Sequence, residues 1–335
     1  MELKFDDLYM ELAYKEAFKY MLLTYPNPSV GAVILYNGRI VAIEAHKRAG
    51  TSHAEVLALL SAYETISGKS IEFDRLNADK AHNFLLSLPK GFFSNCSIYV
   101  TLEPCSHSGK TPSCANLIAN LGLKELIIGT KDPIKSHSGG VEIVKRADIE
   151  IRYSSFDTSS LIEPFKIWQE RAFVVFKLAQ TLNGVICGGY LSSKESLIHT
   201  HKLREVCSKM VIGGNTVRVD RPTLDCRFLD NTDAPDVYIY SKNGNFDKDI
   251  PLFNIKNRVV DVGDDLNFLN KPSLILVEGG EGMLNALKER IDWLLVYQAP
   301  KINKEKGSYY NNINLEYIDV CKNKIDIVIW SRVKK

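Results

Sequence analysis

Four side chains in the first half of the chain constrain its fold more than any other feature. His53 and Glu55 are separated by one residue, and Cys105 is followed nine positions later by Cys114. Imidazole nitrogen and thiolate sulfur are the donors that zinc prefers, and three protein ligands leave the fourth tetrahedral position open to water. The fold must therefore bring two distant segments together at one catalytic metal.

The chemistry of such a site is hydrolytic. Zinc lowers the pKa of a bound water from about 15.7 to about 7, so a nucleophile is present without strong base. Glu55 stands close to the ligand His53, where its carboxylate can take the proton of the water and deliver it to a leaving amine. One imidazole, one carboxylate and two thiols in this pattern are typical of zinc-dependent deaminases.

The elements around these residues support the same interpretation. A short apolar strand at 97–100 precedes Thr-Leu-Glu-Pro-Cys at 101–105, and apolar residues at helical spacing follow His53. A strand end and a helix start can thus converge on one ion. Taken singly, the histidine could lie on the surface, Glu55 could favour a helix dipole, and the thiols could be small buried residues. Their combination argues against these readings.

Further motifs surround the ligand set. The loop between the two thiols is longer than in Cys-x-x-Cys and contains Gly-Lys-Thr-Pro at 109–112. Pro-Asn-Pro-Ser-Val-Gly at 26–31 and His-Lys-Arg-Ala-Gly at 46–50 come before it. In this order the motifs resemble the bacterial bifunctional deaminase-reductases of riboflavin biosynthesis. The resemblance implies an α/β protein with an N-terminal cytidine-deaminase-like three-layer αβα domain and a C-terminal dihydrofolate-reductase-like α/β domain.

The resemblance also implies two reactions on a phosphorylated pyrimidine. In the first, zinc on His53, Cys105 and Cys114 serves the deamination of a 2,5-diamino-6-(phosphoribosylamino)pyrimidinone, with Glu55 as the catalytic proton carrier. Asn27 is expected to orient the ring of this substrate. In the second, NADPH reduces the ribose of the product to a ribityl chain.

The length of 335 residues fits two domains of ordinary size. We expect a deaminase domain at 1–153, a linker at 154–170 and a reductase domain at 171–335. A polar stretch at about 64–95, with a helix near 74–86, is expected to be an insertion in the first domain. It could cover the site or support a subunit contact, and a tolerated surface insertion is the favoured reading.

Charge and cysteine content narrow the class of protein. A net charge of +2 lacks the basic footprint of a nucleic-acid binder. Seven scattered cysteines, an odd number, do not suggest a disulfide framework. The N-terminus has no signal-peptide pattern, and no run approaches about 18 apolar residues. We expect a cytoplasmic homo-oligomer that binds a small molecule and neither nucleic acid nor membrane.

In the second half, short β-rich runs alternate with turns and helical segments, and the Gly-x-Gly-x-x-Gly fingerprint does not follow the first strand. Glycines at 279, 280 and 282 stand between a strand and a helix, which fits either a tight turn or an anion-binding turn. The resemblance makes it the NADPH turn. The cofactor-binding residues that it implies are Gln180, Tyr190, Thr216, Asp220, Ser241, Gly280, Glu281, Gly282, Met283, Leu284, Asn285 and Ala286.

The same resemblance implies a set of substrate-binding residues in the reductase domain. The guanidinium groups among them suit a phosphate, although each could otherwise form an ordinary surface salt bridge. These residues are Gly188, Arg204, Leu224, Arg227 and Glu278.

Departures from the family pattern leave alternatives open. Asn183 and Arg221 stand where aspartates are common, and Gly188 and Tyr190 replace a serine and a tryptophan. One alternative is therefore a deaminase whose second domain has decayed into a binding or assembly module. Others are a nucleic-acid or free-nucleoside deaminase, and a purely structural zinc with His107 as its fourth ligand.

Overall fold

The computed structural model describes residues 5–107, 109, 111–134, 139–187, 189–230, 233–308 and 312–335. The chain forms two compact units, Met1–Lys166 and Ile167–Lys335. Their division falls inside the segment 154–170 that we expected to join two domains, and this segment contains a helix, Ser159–Trp168. In the described part of the chain, no helix has the length and apolar character needed to span a bilayer.

The first unit is a five-stranded sheet with helices on both sides. Its strands are β1 (Gly31–Tyr36), β2 (Arg39–Ala45), β3 (Cys96–Leu102), β4 (Glu125–Thr130) and β5 (Glu150–Tyr153). Its helices are α1 (Phe5–Phe18), α2 (Ala54–Ser67), α3 (Ala78–Leu86), α4 (Cys114–Leu121), α5 (Gly140–Lys145) and α6 (Ser159–Trp168). The strand order is β2-β1-β3-β4-β5, in which β1 runs antiparallel to both neighbours while β3, β4 and β5 are parallel.

Both faces of this sheet are apolar, so both need a cover of helices. Successive side chains of a strand point to opposite faces. On β1, Val33 and Leu35 pack with Met10 of α1. Ala32 and Ile34 face the other side and belong to the larger cluster that includes α2 and α4. The resulting three layers confirm the predicted αβα architecture.

Local signals set the boundaries of the central elements. Asn37 and Gly38 have φ of 50° and 77°, the left-handed values of the predicted two-residue hairpin turn between β1 and β2. Helix α2 begins after His53 as N-cap and ends at Gly68, whose φ of 70° is that of a left-handed cap.

The polar stretch at 64–95 is not a mere surface insertion, and that expectation is corrected. Asn77 caps α3 by accepting a hydrogen bond from the Lys80 N–H. The helix buries Ala81 and Leu85 completely, and Phe93 beyond it is also fully buried. The polar residues that dominate the sequence lie on the outer face of α3, while its small and apolar residues complete the core of the first unit.

The second unit is an eight-stranded sheet. Its strands are β6 (Ala172–Thr181), β7 (Lys209–Gly213), β8 (Val237–Tyr240), β9 (Val260–Gly263), β10 (Ser273–Glu278), β11 (Trp293–Ala299), β12 (Leu315–Asn323) and β13 (Asp326–Val333). The helices are α7 (Lys194–Val206), α8 (Gly214–Asp220) and α9 (Glu281–Leu287), with 3-10 turns at Pro251–Asn254 and Asn267–Asn270. The order is β12-β13-β11-β6-β10-β7-β8-β9, parallel except for β12 and β13.

The sequence predicted all of these strands except β12. Most residues of β12 are exposed, and it is an edge strand that pairs only with β13. It therefore lacks the apolar run that reveals a buried parallel strand. The parallel strands β6, β7, β8 and β10 end at one edge of the sheet, where α8 and α9 begin. Ligands of open α/β sheets bind at such an edge.

The packing of α1 on β1 gives a test of the first unit. A Cβ on Gly31 would lie 1.9 Å from the Ala13 carbonyl oxygen, so the helix must move if the residue is enlarged. We expect Gly31→Ala to lower the free energy of unfolding by about 1–3 kcal/mol in a urea titration. Gly244→Ala is the control, because a Cβ there meets nothing within 4 Å. Equal stability of the two variants would contradict this packing argument.

Candidate functional site

Three predicted ligands meet in the first unit. His53 is the N-cap of α2, Cys114 is the first residue of α4, and Cys105 follows β3. Their ligand atoms all lie within 4.8 Å of one another. The His53 Nδ1 atom is 3.4 Å from Cys114 Sγ and 3.8 Å from Cys105 Sγ. One nitrogen and two sulfurs at these separations fit a tetrahedral zinc that retains one open position.

The protons of this cluster are arranged for metal binding. The Cys114 thiol donates to Cys105, and this contact lowers the pKa of Cys105 to about 4. The same bond raises the pKa of Cys114. With Nδ1 of His53 directed at the sulfurs, its Nε2 lies 3.1 Å from the Thr111 hydroxyl. Thr111 thus fixes the orientation of the ring, as partners of metal-bound histidines commonly do.

Glu55 occupies the first turn of α2 and is only 4% exposed. Burial raises the pKa of its carboxyl, against the opposing influence of His53. A buried carboxyl with a raised pKa is suited to accept a proton and return it in the same reaction cycle.

These residues share one cavity of about 370 Å³. His107 lines the cavity, but within the described part of the chain the metal-binding cluster consists of three residues without it. The alternative of a four-ligand structural zinc through His107 is therefore not supported. The cavity is lined by Pro26, Asn27, Pro28, Val30, His46, Ala49, Gly50, His53, Glu55, Leu102, Glu103, Cys105, His107, Gly109, Thr111, Asp132 and Phe165.

A second histidine joins the predicted substrate residue Asn27 to the metal site. Asn27 Nδ2 lies 3.3 Å from His46 Nε2, and His46 Nδ1 lies 3.2 Å from the Ser52 carbonyl oxygen. Burial lowers the pKa of His46 to about 3, so its ring is neutral and can donate through Nδ1 while accepting through Nε2. The sequence analysis assigned no role to His46, and its place in the 46–50 motif was the only signal.

Glu103 fixes the turn that leads to Cys105. Its carboxylate accepts hydrogen bonds from the backbone N–H groups of Gly139 and Val141, both at 3.1 Å. Gly140 between them must be a glycine, because a Cβ there would lie 1.9 Å from the Pro104 carbonyl oxygen. The end of β3 and the start of α5 are thereby held together.

In the second unit, Glu278 at the end of β10 is the centre of a charged cluster. It accepts from Arg204 of α7 at 2.8 and 3.0 Å, and the Lys177 ammonium lies 3.5 Å away. Although burial alone would raise it, these two cations lower the pKa of Glu278 to about 2. Burial lowers the pKa of Lys177. Lys177 was not assigned from sequence, although it stands opposite Glu278 in the register of β6 and β10.

The structure also connects Arg204 with the other predicted substrate residues. Its Nη1 donates to the Asp225 carbonyl oxygen at 3.1 Å, and Arg227 pairs with the Asp225 carboxylate at 2.7 Å. Leu224, next to Asp225, is buried and has a left-handed φ of 56°. Gly188 lies outside the described residues.

Several predicted cofactor residues converge at the ends of the parallel strands. A Cβ on Gly214 would lie 2.6 Å from Ser241 Cβ, and a Cβ on Gly279 would lie 2.8 Å from Met283 Cβ and 4.0 Å from Thr216 Oγ1. Small residues thus allow α8 to pack against the ends of β8 and β10.

The predicted turn at 280–286 is the start of a helix. Gly280 is the N-cap of α9, which contains the other six residues of the prediction. Met283 and Leu284 are buried in the core, so their backbone rather than their side chains faces the strand ends. Gln180 is half-buried near the end of β6, while Tyr190 and Asp220 are exposed. Across the described ranges, neither Tyr190 nor Asp220 has a hydrogen bond or ion pair to the cluster around Glu278.

Comparison with known proteins identifies the family. The cytidine and deoxycytidylate deaminase zinc-binding region matches residues 3–130, and the RibD C-terminal domain matches residues 172–303. Riboflavin biosynthesis protein RibD of Aquifex aeolicus (strain VF5) is 32% identical over 346 aligned positions, which cover 90% of this chain and 88% of that protein. The chain belongs to the RibD family.

Solved structures agree with this assignment over the whole chain. The diaminohydroxyphosphoribosylaminopyrimidine deaminase/5-amino-6-(5-phosphoribosylamino)uracil reductase of Thermotoga maritima is 25% identical with a TM-score of 0.64, covering 98% of this chain and 99% of that one. RibD of Acinetobacter baumannii, form 1, shares the fold at 22% identity, with a TM-score of 0.65 and full coverage of both chains. The two RibD-type domains confirm zinc as the metal and NADPH as the cofactor predicted from sequence.

The cluster around Glu278 predicts a distinct pH dependence of stability. The pKa of Glu278 is about 2 in the fold and about 4.5 without its partners. Its ionised form therefore stabilises the fold above pH 4.5, and this contribution is lost as the pH falls towards 2. At neutral pH we expect Glu278→Gln to cost about 3–5 kcal/mol, because two buried cations lose their counter-charge.

The measurement is urea unfolding of wild type and Glu278→Gln at a series of pH values. The difference between the two should be constant above about pH 5 and shrink as the pH falls below 4.5. A difference that stays the same down to the acid limit of the fold would show that Glu278 is not held as an anion.

Proposed function

We propose that this chain catalyses two successive steps of riboflavin biosynthesis. The first unit deaminates 2,5-diamino-6-(5-phosphoribosylamino)pyrimidin-4(3H)-one, and the second reduces the ribose of 5-amino-6-(5-phosphoribosylamino)uracil. The observation that carries the proposal is the pairing of the His53–Cys105–Cys114 cluster with buried Glu55 in one cavity. The match of residues 172–303 to a RibD C-terminal domain disfavours a deaminase with a decayed second half.

In deamination, zinc held by His53, Cys105 and Cys114 supplies Lewis acidity that lets water ionise near neutral pH. Glu55 accepts a proton from the attacking water at a carboxylate oxygen and returns it to the leaving amine nitrogen. The substrate carbon gains oxygen and loses ammonia. Asn27 orients the pyrimidine ring, and neutral His46 holds the Asn27 amide in place.

In reduction, NADPH supplies the hydride for the ribose C1 carbon, and the protein supplies binding and orientation. Arg204, Arg227 and Glu278 bind the substrate, with Leu224 and Gly188 beside them. Lys177 keeps Glu278 ionised. Gln180, Tyr190, Thr216, Asp220, Ser241 and residues 280–286 hold the cofactor, and the N–H groups at the start of α9 suit its phosphates.

The organisation of the protein completes the proposal. The deaminase domain comprises residues 1–153, the linker 154–170 and the reductase domain 171–335. The protein is a cytoplasmic homo-oligomer. The seven cysteines support a reducing compartment, because all of them are free thiols in the structure.

The deciding experiment follows ammonia release and NADPH absorbance together. Zinc-loaded wild type given the diaminopyrimidine ribotide and NADPH should produce both signals. Glu55→Gln should retain zinc but lose ammonia release by about 10²-fold or more, because the proton carrier is absent.

The control is the reductase activity of Glu55→Gln with the deaminated substrate, which should match wild type. Ammonia release without NADPH oxidation in the wild type would contradict the bifunctional assignment. Near-normal deamination by Glu55→Gln would remove Glu55 from its role.

The cofactor site has its own test in Asp220→Ala. We expect about tenfold weaker NADPH binding by fluorescence titration, since a polar contact to the nicotinamide side is lost. Ammonia release should not change. Asp249→Ala removes an exposed acid elsewhere in the same unit and should bind NADPH normally. If both variants bind NADPH like wild type, Asp220 does not contact the cofactor.

A further inference from the structure

Ser52, the residue before the ligand His53, is fully buried, and all of its polar groups are engaged. Its backbone N–H donates to the Leu76 carbonyl at 3.0 Å, and its hydroxyl donates to the Arg75 carbonyl at 2.7 Å. Its own carbonyl oxygen lies 3.2 Å from His46 Nδ1. One residue thus connects the metal ligand and the histidine behind Asn27 to a segment more than 20 positions further along the chain.

Arg75 is itself anchored through its guanidinium group. Nη2 donates to the Leu57 carbonyl at 3.2 Å, to the Ser61 hydroxyl and to Glu44 of β2 at 3.3 Å. Nη1 pairs with Glu64 at 3.4 Å. Leu57, Ser61 and Glu64 lie on one face of α2, because residues at these spacings are neighbours on a helix. The side chain of Arg75 therefore lies along α2 while its backbone carbonyl holds Ser52.

The segment around Arg75 is packed at both ends. The Ile71 N–H donates to the Glu64 carboxylate at 2.9 Å, and the Phe73 ring lies 5.4 Å from that of Phe84 in α3. Helix α3 packs against α2 and α4, the two helices that begin at metal ligands. Its buried His82 feels the charges of the metal cluster, which lower its pKa together with burial.

By contrast, the loop at 46–53 has little support of its own on its outer side. Arg48 and Gly50 are exposed, and Gly50 has a left-handed φ of 77°. The hydrogen bonds of Thr51 go back to Arg48 within the loop. The fixed attachment at its far end is Ser52.

We propose that Ser52 and Arg75 are positioning residues for deamination, which together set the places of His53 and His46 without touching the substrate. The proposal rests on the deaminase function proposed above. It gives the polar segment 68–77 a specific role, because this segment braces the loop that carries one metal ligand and the support of Asn27.

The test compares Ser52→Ala with a matched control, Ser67→Ala. Both changes remove a serine hydroxyl that donates to a backbone carbonyl, since Ser67 at the opposite end of α2 donates to Tyr63 at 2.7 Å. The measurements are zinc retention against a chelator and kcat and KM for ammonia release from the diaminopyrimidine ribotide. We expect Ser52→Ala to weaken zinc retention and kcat/KM by about 10- to 100-fold, the usual effect of removing support behind a metal ligand. Ser67→Ala should stay within about twofold of wild type.

A second variant guards against misfolding of the first. Arg75→Lys keeps the charge and the backbone carbonyl but cannot reach all of the acceptors of the guanidinium fork. It should share the loss of zinc retention in smaller degree. Equal zinc retention and equal kcat/KM in Ser52→Ala and Ser67→Ala would overturn the proposal. Absence of ammonia release by wild type would instead refute the deaminase function itself.

Discussion

The meeting of one imidazole and two thiols within 4.8 Å is the constraint on which the first unit depends. The ligands come from the start of α2, the end of β3 and the start of α4, so the whole sheet must form before they meet. The long loop between the thiols is closed at its ends. The Cys105 carbonyl accepts from the Ser113 hydroxyl at 2.8 Å and from the Ala115 N–H at 3.1 Å. The departure from Cys-x-x-Cys therefore lengthens the loop without separating the ligands.

The second unit depends on a different interaction, the buried ion cluster of Lys177, Arg204 and Glu278. Removing three charges from water is costly, and such clusters often contribute little net stability. Parallel register brings Lys177 opposite Glu278, and α7 adds Arg204 from above the strand ends. The cluster stands at the carboxyl edge where open α/β sheets bind ligands. Its position thus favours binding, rather than stability, as the reason for keeping charges there.

The sequence predicted the parts of both sites that local pattern encodes, namely the ligand set, Glu55, the hairpin at Asn37 and the order of most strands. It could not reveal His46 or Arg75 as supports, because their partners lie far along the chain and only the fold brings them together. Departures from the family pattern were also hard to interpret. Asn183 donates through its amide to the carbonyls of Asn303 and Glu305, at 2.8 and 3.1 Å. An aspartate could not donate these bonds, so Asn183 is explained by the loop it holds and is no sign of decay.

Two buried carboxyl groups show how one physical environment yields opposite chemistry. Burial dominates at Glu55 and raises its pKa, whereas Arg204 and Lys177 overcome burial at Glu278 and lower its pKa to about 2. The difference lies in the number of cations within hydrogen-bond reach. A carboxyl whose two protonation states are close in free energy can carry a proton through a reaction. One held as a permanent anion between two cations cannot, and it serves instead as a fixed point for binding. The neighbours of each glutamate thus divide the labour of the two units: proton transfer in the first, orientation of substrate for hydride transfer in the second.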